Sequence, residues 1–193
     1  MRRVMNHIVS TKELGYTFKP DSFGQWDGKR GTRKFKILGK CDSEYAKQSS
    51  RHSVNAGITY LEGAIVKQFS KMMPIVALST TEAELYSAVL TAQDMMFVCY
   101  ILKGFGLEIE LSMLLLCDNK GTVDLANNWS VGGRTRHVDV KQNYLQELKE
   151  NGFLRVEWRH GEVMTPDILT KNVTKHLFDR FSTKLVSWTT IAV

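Results

Sequence analysis

The stretch "MLLLCDNK", residues 113–120, is a continuous apolar run that ends in an acid and an amide. Consecutive apolar residues without alternation are typical of a strand buried on both faces in the middle of a sheet. The next stretch, "GTVDLANN", has helical spacing, and we predict a helix over residues 120–127. A buried strand that leads directly into a helix predicts a sheet with helices packed on it.

Upstream of this strand, the sequence predicts three strands and one long helix. "KFKILGKCDSE" indicates a strand at roughly 34–43, and "NAGITYLEGAIVKQFSK" indicates two more that turn near Glu62 and Gly63. "STTEAELYSAVLTAQDMMFVCYILKGFG" predicts the longest helix, from Ser79 to Gly104. Its second half, residues 95–102, is apolar nearly all round, so we expect it to be buried between the sheet and another layer.

Downstream, one more strand and further helices complete the predicted fold. "RHVDVKQNYLQELKENG" is typical of a helix, "FLRVEWRH" alternates as a last strand, and "TPDILTKN" and "TKHLFDRFSTKLV" predict closing helices. The fold class is therefore α/β, with a mixed five-stranded sheet of three antiparallel strands and then parallel strands, flanked by helices. We expect one core over 34–181, a preceding segment over 1–33 and an extension over 182–193.

Composition restricts the class of protein. An odd number of cysteines, three, without a C-x-x-C pair argues against a disulfide framework and a zinc site. No apolar run approaches the length of a membrane span, and the N-terminus lacks the pattern of a signal peptide. We therefore expect an intracellular protein with buried, reduced cysteines and no membrane partner.

Positive charge is concentrated in the first part of the chain. Residues 1–71 contain 14 Lys and Arg against 6 Asp and Glu. Such density suits contact with nucleic-acid phosphates, although a solvated loop explains it equally well. Six of the cations lie within twelve residues: Lys29, Arg30, Arg33, Lys34, Lys36 and Lys40.

Four acids lie where predicted elements begin or end. Asp42 ends the first strand, Glu84 lies in the first turns of the long helix, Asp118 ends the apolar strand and Asp167 opens a late helix. Several carboxylates at one sheet edge suit a pair of Mg²⁺ ions, which prefer oxygen ligands. The alternative is that Asp118 caps the helix that follows it.

The helix start "STTEAELY", residues 79–86, contains two possible capping boxes. Ser79 with Glu82 satisfies the pattern, and so does Thr81 with Glu84. The local sequence therefore leaves open which glutamate caps the helix and which is available for chemistry.

Four strings, "LSTTEAELYSA", "LCDNKGTVDLANN", "GRTRHVDV" and "PDILTK", occur in an order and at spacings that resemble the ribonuclease H domain of copia-type LTR retrotransposon polyproteins. The opening "MRRVMNHIVSTKELGYTF" resembles the tail of the reverse transcriptase region that precedes that domain, so 1–33 corresponds to this tail and 34–181 to the domain. The resemblance implies a ribonuclease H-like fold and an endonuclease that cuts the RNA strand of RNA/DNA hybrids, leaving 3′-hydroxyl and 5′-phosphate ends.

The resemblance assigns the four acids as catalytic metal ligands. Asp42, Glu84, Asp118 and Asp167 are implied to hold two Mg²⁺ ions, with Mn²⁺ as the substitute, so Glu82 is the glutamate of the capping box. The family pattern Asp-Ala-Asp-Trp-Ala-Gly is replaced here by "DSEYAK", which makes Glu44 an auxiliary ligand candidate.

Other residues are candidates for auxiliary roles. Cellular ribonucleases H carry a mobile histidine on the loop before the fourth acid. Here His160 lies seven residues before Asp167, after the last strand, although a surface role is the alternative. Asp139 lies near the site or orders its helix. Four residues are candidates for nucleic-acid contact, and each has a structural alternative: Asn119, Lys120, Arg134 and Arg136. Trp129 is a candidate for base stacking, whereas sheet and core packing is expected for the other tryptophans.

The resemblance also implies partners and rivals. The partners are an RNA/DNA hybrid and the reverse transcriptase domain of the same polyprotein, within a cytoplasmic virus-like particle if the element is active. The main rival is a catalytically inactive ribonuclease H-like module that binds nucleic acid. Two other rivals are a transposase or integrase of the same broad fold and a basic nucleic-acid binder without catalysis.

Overall fold

The computed structural model of the protein describes residues 34–46, 49–128 and 136–185, with the isolated positions 5, 9, 11, 12, 14, 15, 187 and 188. At positions 14, 15, 136, 137, 187 and 188 the description covers the backbone only. The core is therefore seen almost continuously from the first strand to the last helix.

A mixed five-stranded sheet forms the centre of the fold. Its spatial order is β3-β2-β1-β4-β5, with antiparallel pairing among β1, β2 and β3 and parallel pairing from β1 to β4 and from β4 to β5. The predicted fold class is confirmed. The strands are β1 Ile37–Glu44, β2 Val54–Leu61, β3 Ala64–Met72, β4 Met113–Cys117 and β5 Leu154–Trp158.

The predicted hairpin between the second and third strands is confirmed. Glu62 and Gly63 connect β2 to β3, with φ angles of 51° and 85°. Two-residue hairpin turns need positive φ at both positions, and glycine adopts it without strain. The Glu62 carboxylate also accepts a hydrogen bond of 2.7 Å from the Lys36 amide, which ties the turn to the start of β1.

Helices pack against the sheet and follow the predicted order. The longest begins after Ser79 and ends at Gly104, and the helix after β4 has the predicted bounds. A single 3₁₀ turn, Gly161–Val163, follows β5. The helices are α1 Thr80–Gly104, α2 Lys120–Asn127, α3 Arg136–Glu150, α4 Asp167–Thr170 and α5 Lys175–Leu185.

Two glycines let α1 approach the sheet closely. A side chain at Gly57 in β2 would collide with Thr91 of α1 and with Phe69 of β3. At Gly39 in β1 it would collide with Met95 of α1. Because these two strand positions have no side chain, the side chains of Thr91 and Met95 lie directly against the strands, and the middle of α1 packs close to the sheet.

The second half of α1 is less buried than its sequence predicts. Met95, Met96 and Cys99 are buried, but Phe97 is 54% exposed and Tyr100 is 61% exposed. The expected burial between the sheet and another layer is therefore found only in part: among the described residues, the sheet, α2 and α3 contact α1 but leave Phe97 and Tyr100 exposed. An apolar sequence shows which side chains a helix is able to bury, but not how many other elements pack against it.

By length and composition alone, α1 is apolar enough to cross a membrane. This corrects the expectation that no segment reaches that length. Half of its most apolar 18-residue window is buried inside the domain. A core helix of a globular fold passes the same test, so the finding is weak evidence for a membrane role.

The three cysteines are free and buried, as predicted, and two of them are aligned. The parallel pairing of β1 with β4 sets Lys40 opposite Leu116. Continuation of this register sets Cys41 opposite Cys117 and then Asp42 opposite Asp118. Two of the predicted site acids therefore lie at the same level, with Asp118 directly after β4 and Asp42 inside β1, two residues before its end and not at the end as predicted.

Candidate functional site

The four sequence-predicted acids lie at one edge of the sheet. Asp42 is on β1 and fully buried, and Glu84, which is 6% exposed, is on α1 above it. Asp118 directly follows β4, and Asp167 is the first residue of α4. Both are partly buried. The strand ends and helix starts thus bring all four carboxyl groups to one region.

These acids form two overlapping groups of potential metal ligands. In the first group, one carboxylate oxygen each from Asp42, Asp118 and Asp167 lies within 4.8 Å of the other two. In the second group, oxygens of Glu84 and Asp118 and the sulfur of Cys117 are equally close to one another. Because Asp118 belongs to both groups, a ligand bound at one lies beside the other.

A lysine ammonium group lies among the acids. Lys171 Nζ is 2.8 Å from Asp42 Oδ1 and 3.4 Å from Asp167 Oδ1. The Thr170 hydroxyl donates a hydrogen bond to Asp42 Oδ2. Burial by itself would lower the pKa of Lys171, but the neighbouring carboxylates, Asp42 first, raise it above its usual range. Lys171 therefore stays charged and supplies a positive charge where a cation would bridge Asp42 and Asp167.

Glu84 has one satisfied and one unsatisfied carboxylate oxygen. The Ser43 amide donates a hydrogen bond of 3.1 Å to Glu84 Oε1. Glu84 Oε2 is buried and has no hydrogen-bond partner. The hydroxyl group of Ser87, one turn later on α1, donates a hydrogen bond of 2.7 Å to the Asp42 carbonyl oxygen and anchors this part of the helix to β1. A rigidly held carboxylate with an open oxygen is suited to binding a further group.

Burial and mutual repulsion change the protonation of these acids. Burial, followed by Cys117, Asp42 and Asp118, raises the pKa of Glu84 to about 10. Burial and then Asp42 raise the pKa of Asp167 to about 7, against the opposing effect of Lys171. Burial and then Asp42 also raise the pKa of Asp118. Without a cation, the site therefore retains protons near neutral pH.

The two glutamates at the start of α1 have separate roles in the structure. Ser79 is the N-cap, and its hydroxyl accepts a hydrogen bond of 3.1 Å from the Glu82 amide. The Glu82 carboxylate accepts one of 2.7 Å from the Leu78 amide, one residue before the position that a capping box uses. Glu82 therefore fixes the helix start, and Glu84 points to the sheet edge.

Asn119, not Asp118, caps α2. The Asn119 side-chain oxygen accepts a hydrogen bond of 2.9 Å from the Thr122 amide. This removes the alternative that Asp118 is the helix cap. It also gives Asn119 a structural role, so any contact of Asn119 with nucleic acid would have to come from its remaining amide group.

Curated relatives of the chain are plant retrotransposon proteins. It is 32% identical over 145 residues, 74% of the chain, to the retrovirus-related Pol polyprotein from transposon TNT 1-94 of Nicotiana tabacum. It is 28% identical over 186 residues, 96% of the chain, to the corresponding polyprotein from transposon RE1 of Arabidopsis thaliana. The chain spans only 11–12% of the length of these relatives. No protein-family model matches it.

Solved structures of ribonucleases H have the same fold. The N-terminal ribonuclease H domain of a Mycobacterium tuberculosis protein matches 78% of this chain and 98% of its own with a TM-score of 0.53 and 12% identity. LC11-RNase H1 in complex with an RNA/DNA hybrid matches 70% of this chain and 94% of its own with a TM-score of 0.54 and 14% identity. The chain has the ribonuclease H-like fold and is similar in sequence to a segment of plant retrotransposon Pol polyproteins.

Three side chains cluster beside Asp118. The Trp158 indole donates a hydrogen bond of 2.9 Å to the Asp118 carbonyl oxygen. Lys120 Nζ lies 5.0 Å from the centroid of the Trp158 ring, and the His160 ring packs edge-on against it at 6.3 Å. Trp158 lies in the sheet, as expected, but it is 38% exposed and does not pack in the core. Because β5 ends here, its last side chain lies at the rim of the sheet.

The remaining candidates are less closely tied to the acids. Glu44 ends β1 and Asp139 lies in the first turn of α3, and neither belongs to the two ligand groups found among the described residues. Arg136 begins α3, but its side chain is outside the described part of the domain. Arg134 and Trp129 lie outside the described residues altogether.

Two of the three described members of the basic cluster, Lys36 and Lys40, have partners within the protein. Lys40 Nζ donates a hydrogen bond of 3.0 Å to the Val163 carbonyl, and burial, followed by Lys184, lowers the pKa of Lys40 to about 8. Lys36 Nζ lies 3.7 Å from Glu110 Oε2. Lys34 is exposed, and the other three cations lie outside the described residues: Lys29, Arg30 and Arg33.

Sequence reasoning missed three residues that organise the acids. Lys171 and Thr170 contact Asp42 from 128 or more positions away, and Trp158 contacts Asp118. One signal was available for Lys171, because it lies four residues after Asp167 and such pairs face each other on a helix. Contacts across the sheet leave no comparable periodic signal.

The raised pKa values predict how stability depends on pH. Glu84 and Asp167 hold protons in the folded domain where the unfolded chain, with ordinary values of 4.5 and 3.8, has lost them. Their stabilisation is complete below pH 4 and is lost as pH rises through about 7 for Asp167 and about 10 for Glu84. Without divalent ions, we therefore expect Tm to fall between pH 5 and 9.

Thermal unfolding in a chelator tests this expectation. Glu84→Gln removes one of the two titrating groups, so the pH dependence of its Tm should be shallower than that of the unmodified domain. Divalent cations should reduce the fall as well, since they stabilise the ionised carboxylates. A Tm that rises from pH 5 to 9, or identical pH profiles for the domain and for Glu84→Gln, would contradict the assignment.

Proposed function

We propose that this domain is an endoribonuclease that hydrolyses the RNA strand of RNA/DNA hybrids during retrotransposon reverse transcription. The observation that carries the proposal is the convergence of four carboxyl groups, joined through Asp118, at the end of β1 and β4. The ribonuclease H-like fold supports it, since a structure with the same fold is a complex with an RNA/DNA hybrid. The products are a 3′-hydroxyl and a 5′-phosphate.

The residues present fit a pair of hard divalent cations. Their donors are carboxylate oxygens, one buried oxygen of Glu84 lacks a partner, and the Lys171 ammonium lies where a cation between Asp42 and Asp167 would lie. Asp42, Glu84 and Asp118 would hold one Mg²⁺, and Asp42 with Asp167 the other. Mn²⁺ would substitute. When bound, the ions stabilise the leaving 3′-oxygen and lower the pKa of the attacking water.

Other side chains of the domain position these ligands and the substrate. Thr170 orients one oxygen of Asp42, and the Ser43 amide orients Glu84. Lys120, held over the Trp158 ring beside Asp118, is placed to contact a phosphate of the hybrid. Asn119, Arg134 and Arg136 are further candidates for contact with nucleic acid. These groups would hold the scissile strand against the acids, where water is the nucleophile.

Cleavage of a labelled hybrid tests the proposal. The chain is incubated with an RNA/DNA hybrid labelled on either strand, in Mg²⁺, Mn²⁺ or chelator, with duplex DNA as the control substrate. We expect fragments of the RNA strand only, and only with a divalent ion. Binding of the hybrid without cleavage under either metal would instead favour the inactive module.

Lys171 gives a prediction about the metal-free state. Lys171→Met leaves Asp42 and Asp167 without their cationic partner, and we expect a loss of about 1–3 kcal/mol in stability, below the cost of breaking a fully buried pair because the lysine side chain is 29% exposed. Mg²⁺ should restore more stability to this variant than to the unmodified domain. Thermal unfolding with and without Mg²⁺ measures both effects.

Lys175→Met is the matched control, because Lys175 lies four residues later and is exposed. Its unfolding temperature and its response to Mg²⁺ should equal those of the unmodified domain. If Lys171→Met behaves in the same way as Lys175→Met, Lys171 does not compensate the charge of the acids.

The setting of the activity is also a proposal. We propose that the domain acts beside the reverse transcriptase domain of the same polyprotein. Residues 1–33 would be the tail of that reverse transcriptase domain, 34–181 the nuclease and 182–193 an extension. We place it inside the cell, in cytoplasmic virus-like particles if the element is active. This arrangement is supported by the Pol polyprotein relatives, because the part of each relative that matches this protein is only 11–12% of its length.

A further inference from the structure

The second ligand group differs from the first by a sulfur atom. Cys117 Sγ lies within 4.8 Å of a carboxylate oxygen of Glu84 and of one of Asp118. The thiol is free and fully buried; it donates a long hydrogen bond of 3.9 Å to the Asn119 carbonyl and lies beside the Cys41 thiol. The proposed hydrolysis uses oxygen ligands alone and gives Cys117 no role.

An unsatisfied oxygen belongs to the same group. Glu84 is 6% exposed, its Oε1 accepts from the Ser43 amide, and its Oε2 has no partner. A buried polar atom without a partner is costly and calls for a ligand that satisfies it. Asp118 is only partly buried, so it connects Cys117 and Glu84 to solvent and provides a route for an ion.

We propose that Glu84, Cys117 and Asp118 bind a thiophilic divalent cation such as Zn²⁺ or Cd²⁺. These ions accept thiolate and carboxylate ligands together, whereas Mg²⁺ takes oxygen ligands. Ligand atoms around a tetrahedral Zn²⁺ are ~3.5 Å apart, so side-chain rotation has to draw the group together by ~1 Å. As the metal–sulfur bond forms, the thiol proton passes to water, and no oxidation state changes.

Such an ion would compete with Mg²⁺, because both need Glu84 and Asp118. We therefore expect Zn²⁺ to inhibit the nuclease even when Mg²⁺ is present. The competition rests on the proposed function, whereas the binding of the thiophilic ion does not.

Titration of the metal-free full chain with Cd²⁺ tests the binding without any nucleic acid. Thiolate coordination to Cd²⁺ produces a charge-transfer absorption band in the ultraviolet. We expect the band to saturate at one ion per chain, to persist in Cys99→Ser and to disappear in Cys117→Ser. Cys99 is the matched control because it is also free and fully buried but belongs to neither ligand group.

Asp118→Asn provides a second measurement that keeps all three thiols. Loss of this ligand should weaken Cd²⁺ binding at least about tenfold, since even outer-shell changes around a metal cost 10–100-fold. This result decides the matter if Cys117→Ser does not fold. The proposal is overturned if the chain gives no band, if folded Cys117→Ser keeps it, or if Asp118→Asn binds Cd²⁺ unchanged.

Discussion

Asp118→Asn is expected to abolish cleavage of the RNA strand, with a loss of about a thousandfold or more in either Mg²⁺ or Mn²⁺. Asp118 is the acid common to both ligand groups, so its substitution removes an oxygen ligand from each. Charge stabilisation by a bound metal is worth several kcal/mol, and each 1.36 kcal/mol is a factor of ten in rate. The rate of fragment release from a labelled hybrid measures the effect.

The fold of this variant should be intact. Asn is nearly the same size as Asp, and the contact of Trp158 is with the backbone carbonyl of residue 118, which the substitution leaves in place. Asp124→Asn is the matched control, because Asp124 is an exposed acid on α2, six residues away. Full activity of Asp118→Asn, alongside full activity of Asp124→Asn, would remove the basis of the nuclease assignment.

Glu84→Gln and Glu82→Gln should differ sharply, although both glutamates are 6% exposed and two residues apart. Gln at position 84 can still accept from the Ser43 amide but offers no negative charge to a cation, so we expect activity to fall by about a thousandfold or more. Gln at position 82 can still accept from the Leu78 amide, so cleavage should stay within a few-fold of the unmodified rate.

Thermal unfolding separates the two effects. Glu82→Gln weakens a charge-assisted bond at the helix start and should cost about 0.5–1 kcal/mol. Glu84→Gln removes a carboxyl whose pKa is raised by burial, so above neutral pH without metal it should be at least as stable as the unmodified domain. Equal losses of activity in the two variants would show that α1 simply needs both glutamates to fold.

Local sequence patterns predicted the bounds of helices and strands better than they predicted which side chains are buried. The bounds of α2 follow from residues next to them in the chain, with Asn119 as cap before Lys120. The exposure of Phe97 and Tyr100 was not predictable, because the helical pattern of α1 does not state which of its sides meets the sheet. Burial depends on packing between segments that are distant in sequence, so the sequence of one segment does not show which of its sides is covered.

The same contrast holds at the site. Each acid lies where an element begins or ends, and the resemblance selected Glu84 over Glu82, a choice that capping rules left open. Lys171 was missed because its main partner, Asp42, lies 129 residues earlier. A compensating cation is recognised only when the folded neighbours are known, since its sequence neighbourhood is that of an ordinary helix end.

The parallel register of β1 and β4 determines how the site can change. Neighbouring strands are roughly 4.8 Å apart, and continuation of the register sets Asp42 beside Asp118. The hydrogen-bonded backbone therefore fixes the distance between the Cα atoms of these two ligands. Substitutions around the acids alter charge and contacts but leave this spacing unchanged. A one-residue insertion in either strand would instead turn one carboxyl group to the opposite face. The backbone distance between the two acids is therefore set by the fold, and variation in metal preference has to come from the side chains around them.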